Sequence, residues 1–428
     1  MKAFTEPLLS LAGFEEMTKT AEKSSGLISV TGCIDAQKSQ MIYAFGGHRK
    51  NKLIVTFGEQ KAKELYDEYS FFDKEVVYYP SKDVLFYQSD IRGNLLTAER
   101  IRALKAIREQ ESVTLVTTFD ALMNTMAPIE KMWENVLTLE QGQLLDLKEI
   151  QAALIRMGYE KEYQVQTMGQ FSVRGGILDV FPLTEENPIR IELWGDEIDT
   201  IRYFDCESQK SIENTDRVSI YPAAELVLSD EEKAGGIEKL KAEAKRVSDK
   251  LRKQMKTEEA HRVSVMADEL TEEWGELSMY AGMDAFLSYF FDERVGLLDY
   301  FKPSDSLIFF DELTRCTEQG KLTETEFSES MKQRLAMGYI LPGQMNGLFT
   351  EKEIVAKLEK YSCIALGALD NKANGLHQLG SYGIHCQSVS PYNNSFELLI
   401  KDLKRYKKNG YRVILLSGSR TRAKRLSE

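Results

Sequence analysis

The sequence predicts an α/β chain in which a parallel sheet is interrupted by a small antiparallel β domain and followed by a partial α/β segment. Three observations predict it. Apolar runs of strand length alternate with helical stretches on both sides of the middle of the chain, the pattern of strands buried between helix layers. Residues 171–205 switch to strict apolar/polar alternation, the period of strands with one buried side. The 428 residues exceed what one core holds, so roughly two to four domains are expected.

In chain order, Leu27–Val30 reads as a strand, Thr31–Ser39 as a loop and Gln40–Phe45 as the start of a helix. Leu53–Phe57 is a strand followed by the helix Glu59–Tyr69, and Val76–Tyr79 is a strand ended by Pro80. Thr97–Gln110 is a helix with Ile101 and Leu104 inward, and Val113–Thr117 a fourth strand. Asp146–Gly158 is a helix: Asp146 has the capping position, Glu149 the capping-box spacing, Ile150, Ala153, Leu154 and Met157 the buried stripe, and Gly158 the C′ position. Residues 229–275 predict two charged antiparallel helices with one thin stripe, Ile237, Leu240, Ala244, Val247 and Leu251. They read either as a solvated helical pair, the favoured reading, or as a protruding interaction arm. Leu307–Phe310 and Cys363–Leu366 are buried strands, with a helix at Glu351–Tyr361. Lys372–Gly383, rich in Gly, Asn and Lys, predicts a boundary. Beyond it a strand at Ile384–Val389, a helix at Phe396–Asn409 and a strand at Val413–Leu416 are expected. The chain stops in what reads as the first turns of another helix, so it is expected to be a piece of a longer protein.

Composition narrows the function classes. No apolar run approaches the ~20 residues of a membrane helix, and the N-terminus has no long apolar core for a signal peptide. Cys33, Cys206, Cys316, Cys363 and Cys386 are scattered without a CxxC pair, which argues against structural zinc and a disulfide framework and fits a reducing cytoplasm. Four dispersed histidines offer no metal cluster. The formal net charge of −12 makes DNA a weak partner rather than the main one, and docking onto a protein fits better.

Two stretches carry candidate chemistry. In Phe171–Asp205, Phe171 and Val173 face one way, Ser172 and Arg174 the other; Ile189, Ile191 and Leu193 share a face, leaving Arg190, Glu192 and Trp194 opposite. Gly175-Gly176 and Gly195-Asp196 punctuate the runs as turns. An outer face carrying arginines and one tryptophan suits protein recognition. The alternative is that Trp194 completes a core and the arginines only solubilise. The second stretch, Gly32–Ser39, reads G-C-I-D-A-Q-K-S against the phosphate-loop pattern G-x-x-x-x-G-K-[ST]. Lys38 and Ser39 stand at the phosphate and magnesium positions, but Gln37 replaces the glycine whose conformational freedom the loop needs, and Asp35 adds a negative charge. Asp311-Glu312, ending a hydrophobic strand, has the form of the acidic pair that holds magnesium and positions water. With Gly32, Gln37, Lys38, Ser39, Asp311 and Glu312 as a degenerate nucleotide site, no ATP hydrolysis and no catalytic residue are expected.

Taken in order, the degenerate loop, FSVRGGILDVFP, IRIELWGDEIDTIRYFD and LLDYF…LIFFDE resemble the N-terminal, UvrB-homologous region of the Mfd family of bacterial transcription-repair coupling factors over essentially the whole chain. UvrB itself departs on three counts. Its loop keeps the glycine; it carries a long tyrosine-rich hairpin where Tyr79–Asn94 is short; and the segment after Ala365-Leu366-Gly367-Ala368 does not continue as a UvrB helicase domain. The resemblance implies a RecA-like P-loop-type sheet split around a UvrA-binding meander. Its domains are the first half of a UvrB-like domain (1–140), the β-rich UvrA-binding domain (141–225), the second half with the helical arm (226–370), and the start of a third α/β domain (371–428). It implies that Arg174, Arg190 and Trp194 grip UvrA, Trp standing where Phe is common. In the full-length family a motor using ATP and magnesium translocates along DNA and displaces RNA polymerase, through regions absent here; no cofactor is expected in this stretch. Three functions stay open: a UvrA-recruiting module, an active ATPase of the UvrB type, and an autoinhibitory structural domain masking the UvrA site.

Overall fold

The computed structural model describes residues 2–11, 13–45, 49–82, 94–276, 282–369, 375–389, 391–393, 395–415, 417 and 419–427. Fifteen strands are named among them: β1 Gly26–Thr31, β2 Asn51–Thr56, β3 Val77–Tyr79, β4 Thr114–Thr118, β5 Leu137–Glu140, β6 Glu160–Lys161, β7 Gln170–Arg174, β8 Ile177–Val180, β9 Ile189–Trp194, β10 Glu197–Phe204, β11 Ser211–Thr215, β12 Arg217–Ile220, β13 Ser306–Asp311, β14 Ser362–Gly367 and β15 Gln378–Gly383. The chain divides into two compact units, residues 1–385 and 386–428.

The main sheet of the first unit runs β15-β1-β14-β13-β2-β4-β3, with every pairing parallel. The apolar runs behave as strands covered on both faces. Along β13, Ile308 and Phe310 join one hydrophobic core, while Leu307 and Phe309 join the other. Along β14, Cys363 and Ala365 alternate with Ile364 and Leu366 in the same way. Strands β13 and β14, from the second half of the chain, lie between β1 and β2 from the first. The two flanks of the β domain thus build one sheet, as a split α/β domain requires.

The inserted domain is a six-stranded sheet, β11-β10-β9-β8-β7-β6, antiparallel except for the short β6–β7 pair, with β5 and β12 paired beside it. The helix Leu147–Arg156 buries Ile150 and Leu154 in the same core as Phe171, Leu178, Ile191 and Ile201. Asp146 caps it by accepting from the N–H groups of Lys148 and Glu149, and Gly158 follows it at φ +89°.

Several expectations change. Helices at Lys2–Leu9 and Phe14–Lys23 precede β1, and the helix after β1 begins at Asp35, not near Gln40, so Gln37, Lys38 and Ser39 are helical rather than loop. The helices Asp230–Lys253 and Thr257–Glu276 are present, but their stripe is not solvated: Leu240, Ala244 and Leu251 share a core with Val263, Trp274, Phe286 and Tyr289. The Tyr289 hydroxyl donates to Glu243 across this contact at 2.5 Å. Of the glycine-rich stretch after Leu369, residues 370–374 lie outside the described residues. Residues 378–383, within the stretch expected to mark a boundary, form β15 on the edge of the main sheet, and the Ile384 N–H donates to the Thr31 carbonyl at 2.9 Å. That leaves 384–389 without a strand. The second unit shows the helices Phe396–Lys408, capped by Ser395, and Arg420–Ser427. Its expected strand at Val413–Leu416 is not formed among the described residues, which offer no neighbour to pair with; 416 itself lies outside them. Most of Tyr79–Asn94 also lies outside the described residues. No described helix is long and apolar enough to cross a membrane.

Candidate partner-binding face and an altered phosphate site

The six residues of the phosphate motif and the acidic pair converge at the C-terminal ends of β1, β13 and β14, where a parallel sheet places its ligands. What they build there is a closed ion cluster. The Lys38 ammonium lies 2.5 Å from Asp311 Oδ1, 2.9 Å from Asp35 Oδ1 and 3.1 Å from Glu312 Oε1. An ammonium has three donors, so three carboxylates exhaust it. Its side chain is 2% exposed. Burial alone would lower its pKa; Asp311, Asp35 and Glu312 more than offset that and raise it. The hydrogen bond from Lys38 in turn holds the Asp35 carboxyl below its ordinary value against partial desolvation. Thr56 Oγ1 donates to Asp311 Oδ2 at 2.9 Å, and the Ala368 N–H to Glu312 Oε1 at 3.0 Å. Glu312 sits at φ +59°, a left-handed conformation uncommon outside glycine.

The loop itself is spoken for as well. The Gly32 and Cys33 N–H groups donate to the Ala368 and Gly367 carbonyls. Gly32 has φ +79°, and a Cβ there would meet the Ile384 oxygen at 2.0 Å, so this glycine serves the close approach of the chain after β15. Gln37 places a buried side-chain oxygen with no hydrogen-bond partner beside the loop, an acceptor where an anion needs donors. Ser39 Oγ donates to Glu68 at 3.4 Å. Lysine, the Gly32 and Cys33 amides and serine are all turned to internal acceptors, and Asp35 adds a carboxylate, so the side chains present do not fit a nucleotide phosphate with its magnesium. Among the described residues no group of three or more His, Cys, Asp or Glu is placed to hold a metal ion.

The inserted sheet shows the opposite arrangement. β7–β8 and β9–β10 are hairpins closed by Gly175-Gly176 and Gly195-Asp196, with positive φ at Gly175 (+61°) and Gly195 (+65°). Glycine at the first central position is what a tight two-residue hairpin of this kind needs. The register then lines up Ser172, Asp179, Arg190 and Arg202 across four strands on the outer face. Arg190 Nε and Nη2 donate to Asp179 at 2.7 and 2.9 Å, and Arg174 Nη2 to Asp179 at 2.7 Å. Arg190 Nη2 also donates to Gln209 at 2.8 Å, and its guanidinium lies 4.3 Å from the Phe204 ring centre. The Arg190 side chain is consequently only 12% exposed and Arg174 34%, while Asp179 is 1% exposed. Trp194, at the tip of β9, is 84% exposed, which removes the reading that it completes a core. It borders an open hollow with Glu140, Glu197, Asp199, Asp216 and Arg217.

The alternation thus predicted the facing of Arg174, Arg190 and Trp194 but not the tie between the arginines. Asp179 was missed. Its signal was present: an acid in the apolar run Ile177–Val180, in phase with the outward residues of the neighbouring strands.

Comparison with known proteins adds a family context. Residues 137–226, the inserted β domain, match the family described as UvrB interaction domain. The transcription-repair-coupling factor of Bacillus subtilis strain 168 is 26% identical over 377 residues, covering 87% of this chain and 31% of that protein. The protein of the same description from Staphylococcus epidermidis is 26% identical over 409 residues (93% and 34%), and that from Staphylococcus aureus strain MRSA252 26% over 426 residues (96% and 35%). The chain resembles these coupling factors over most of its length and spans about a third of theirs.

Proposed function

We propose that this chain is a recruiting module of transcription-coupled repair: its inserted β domain binds UvrA, and its nucleotide-type fold serves as a scaffold without turning over ATP. The observation that carries the reading is the exposed Trp194 on the same strand face as two arginines whose guanidinium groups are already set in place. A large aromatic with little to cover it, on a face that carries ordered arginines, is the composition of an interface hot spot. The match of this same segment to an interaction domain, and the coupling-factor relatives, set that face in a repair context. Motor activity and contact with RNA polymerase belong, in this reading, to parts of the relatives outside the third that this chain spans. DNA contact is weak and salt-sensitive, given the net charge of −12. The setting is cytoplasmic.

The test is calorimetric titration of UvrA with wild type and with Arg174→Ala/Trp194→Ala. Truncating a hot spot costs about 2 kcal/mol or more, over tenfold in affinity. The double variant should lose at least that while keeping its circular dichroism, because neither side chain is buried. Arg190 is left out of the pair: it gives two of the three arginine bonds to the buried Asp179 carboxylate and is itself 12% exposed, so its loss would confound binding with folding more than the loss of Arg174, which gives one. Unchanged affinity in the folded double variant removes the recruiting reading.

A further inference from the structure

Asp179 lies on the outer face of the inserted sheet, yet its carboxylate is covered by the two arginines it holds. Each guanidinium has five N–H donors. Arg174 commits one of them to Asp179, and Arg190 commits three to Asp179 and Gln209. Four donors of Arg174, 34% exposed, and two of Arg190, 12% exposed, are not taken up by these two acceptors, so Arg174 presents the larger share to a partner. Asp179 is the one carboxylate that both guanidinium groups are recorded bonding; Glu192, the next acid on this face, is hydrogen-bonded by Arg202 at 3.0 Å, so without Asp179 the two like charges would lose their shared anchor. Charge-assisted bonds are short and directional, so the carboxylate fixes both the spacing and the plane of the two groups. The cost of ordering two long side chains is then met on folding instead of on binding.

We propose that Asp179 is the positioning residue of this face, presetting Arg174 and Arg190 as a paired donor for a carboxylate-bearing surface that also receives the Trp194 ring. The inference rests on the recruiting reading above and names the chemistry of its partner: an acidic acceptor group beside an apolar recess. It also makes a counterintuitive demand. Asp179 halves the positive charge of the arginine pair, so simple attraction to an acidic partner would be stronger without it. Positioning demands the reverse.

The experiment titrates purified UvrA against wild type, Asp179→Asn, Arg174→Ala, Trp194→Ala and the Asp179→Asn/Arg174→Ala double variant, at two salt concentrations. Positioning predicts that Asp179→Asn binds about tenfold more weakly at both. It also predicts that the loss shrinks once Arg174 is absent, the non-additivity expected of groups acting as one unit. Unchanged or tighter binding by a folded Asp179→Asn overturns the proposal. Should that variant not fold, nitrogen-15 relaxation of the arginine side chains in wild type decides it. Restrained Arg190 Nε–H and Arg174 guanidinium groups are expected, and mobility equal to that of solvent-exposed arginines overturns it. The two ideas fail differently. If Arg174→Ala and Trp194→Ala bind as wild type, the recruiting reading is gone; if they lose binding while Asp179→Asn keeps it, only the positioning role is.

Discussion

The phosphate-site lysine and the strand-face arginines are both cations held by buried carboxylates, and they end in opposite conditions. Around Lys38, three acids meet one ammonium; its donors are exhausted and its side chain is sealed. Around Asp179, one acid meets two guanidinium groups and takes up three of their ten N–H donors. The difference is one of stoichiometry and of donor number, three for lysine against five for arginine. A site with excess acid closes on its own cation, whereas a site with excess cation offers it. That contrast, more than the presence or absence of a motif, separates the phosphate-type site of this chain from its arginine-bearing strand face.

The largest effect is expected at Lys38. Lys38→Met leaves Asp311, 2% exposed, with Thr56 as its remaining side-chain donor. Removing one partner of a buried ion pair costs about 3–5 kcal/mol. Urea unfolding should show a loss of that order, and wild-type stability in this variant would mean the cluster is not what holds the three strand ends. A smaller effect sharpens the same point. Gln37→Gly restores the motif's missing glycine but places it inside the helix Asp35–Phe45, so it should destabilise by up to about 1 kcal/mol and yield no phosphate release, with or without DNA. Turnover above background in that variant, abolished by adding Lys38→Ala, would show that only the glycine was lacking.

The smallest effect is the acid limb. The Asp35 pKa lies below its ordinary value of 3.8 in the folded state, so its contribution is present above that value and fades as pH falls through the lowered one. Lys38 is raised above 10.5, so its contribution holds below that value and is lost only at still higher pH. Melting temperature should thus be flat, as far as this cluster goes, between about pH 5 and 9. Asp35→Asn should remove only part of the loss on acidification, under about 1 kcal/mol, because Asp35 is 64% exposed. A large shift of the neutral-pH melting temperature in Asp35→Asn would place more of the cluster's stability in Asp35 than its exposure allows.

Much of this was legible in the sequence where a period decides the outcome. The buried strands β1, β2, β4, β13 and β14, the capped helix after Asp146 and the outward phase of Arg190 and Trp194 all follow from spacing alone. What spacing does not encode is who satisfies whom. Gln37 marked the phosphate loop as altered, yet nothing in the eight-residue motif says that Asp35, Asp311 and Glu312 all turn to Lys38, since two of these come from 273 and 274 residues away. Asp179 likewise has meaning only once β8 lies between β7 and β9. The strand β15 was missed because its glycine- and polar-rich sequence lacks an apolar alternation and gains its place by extending an existing edge. The tail after Cys386 erred the other way: apolar residues at 413–415 promised a strand, but a strand needs a neighbour.

The most direct measurement of the contrast is equilibrium binding of magnesium-ATP to the wild-type chain by calorimetry, at neutral pH and moderate salt. With every donor of Lys38 and the first loop amides committed to internal acceptors, the account predicts no saturable binding up to millimolar nucleotide. Saturable micromolar binding that disappears in a folded Lys38→Ala variant would contradict it, because the cluster would then open for phosphate and the chain would carry a working nucleotide site.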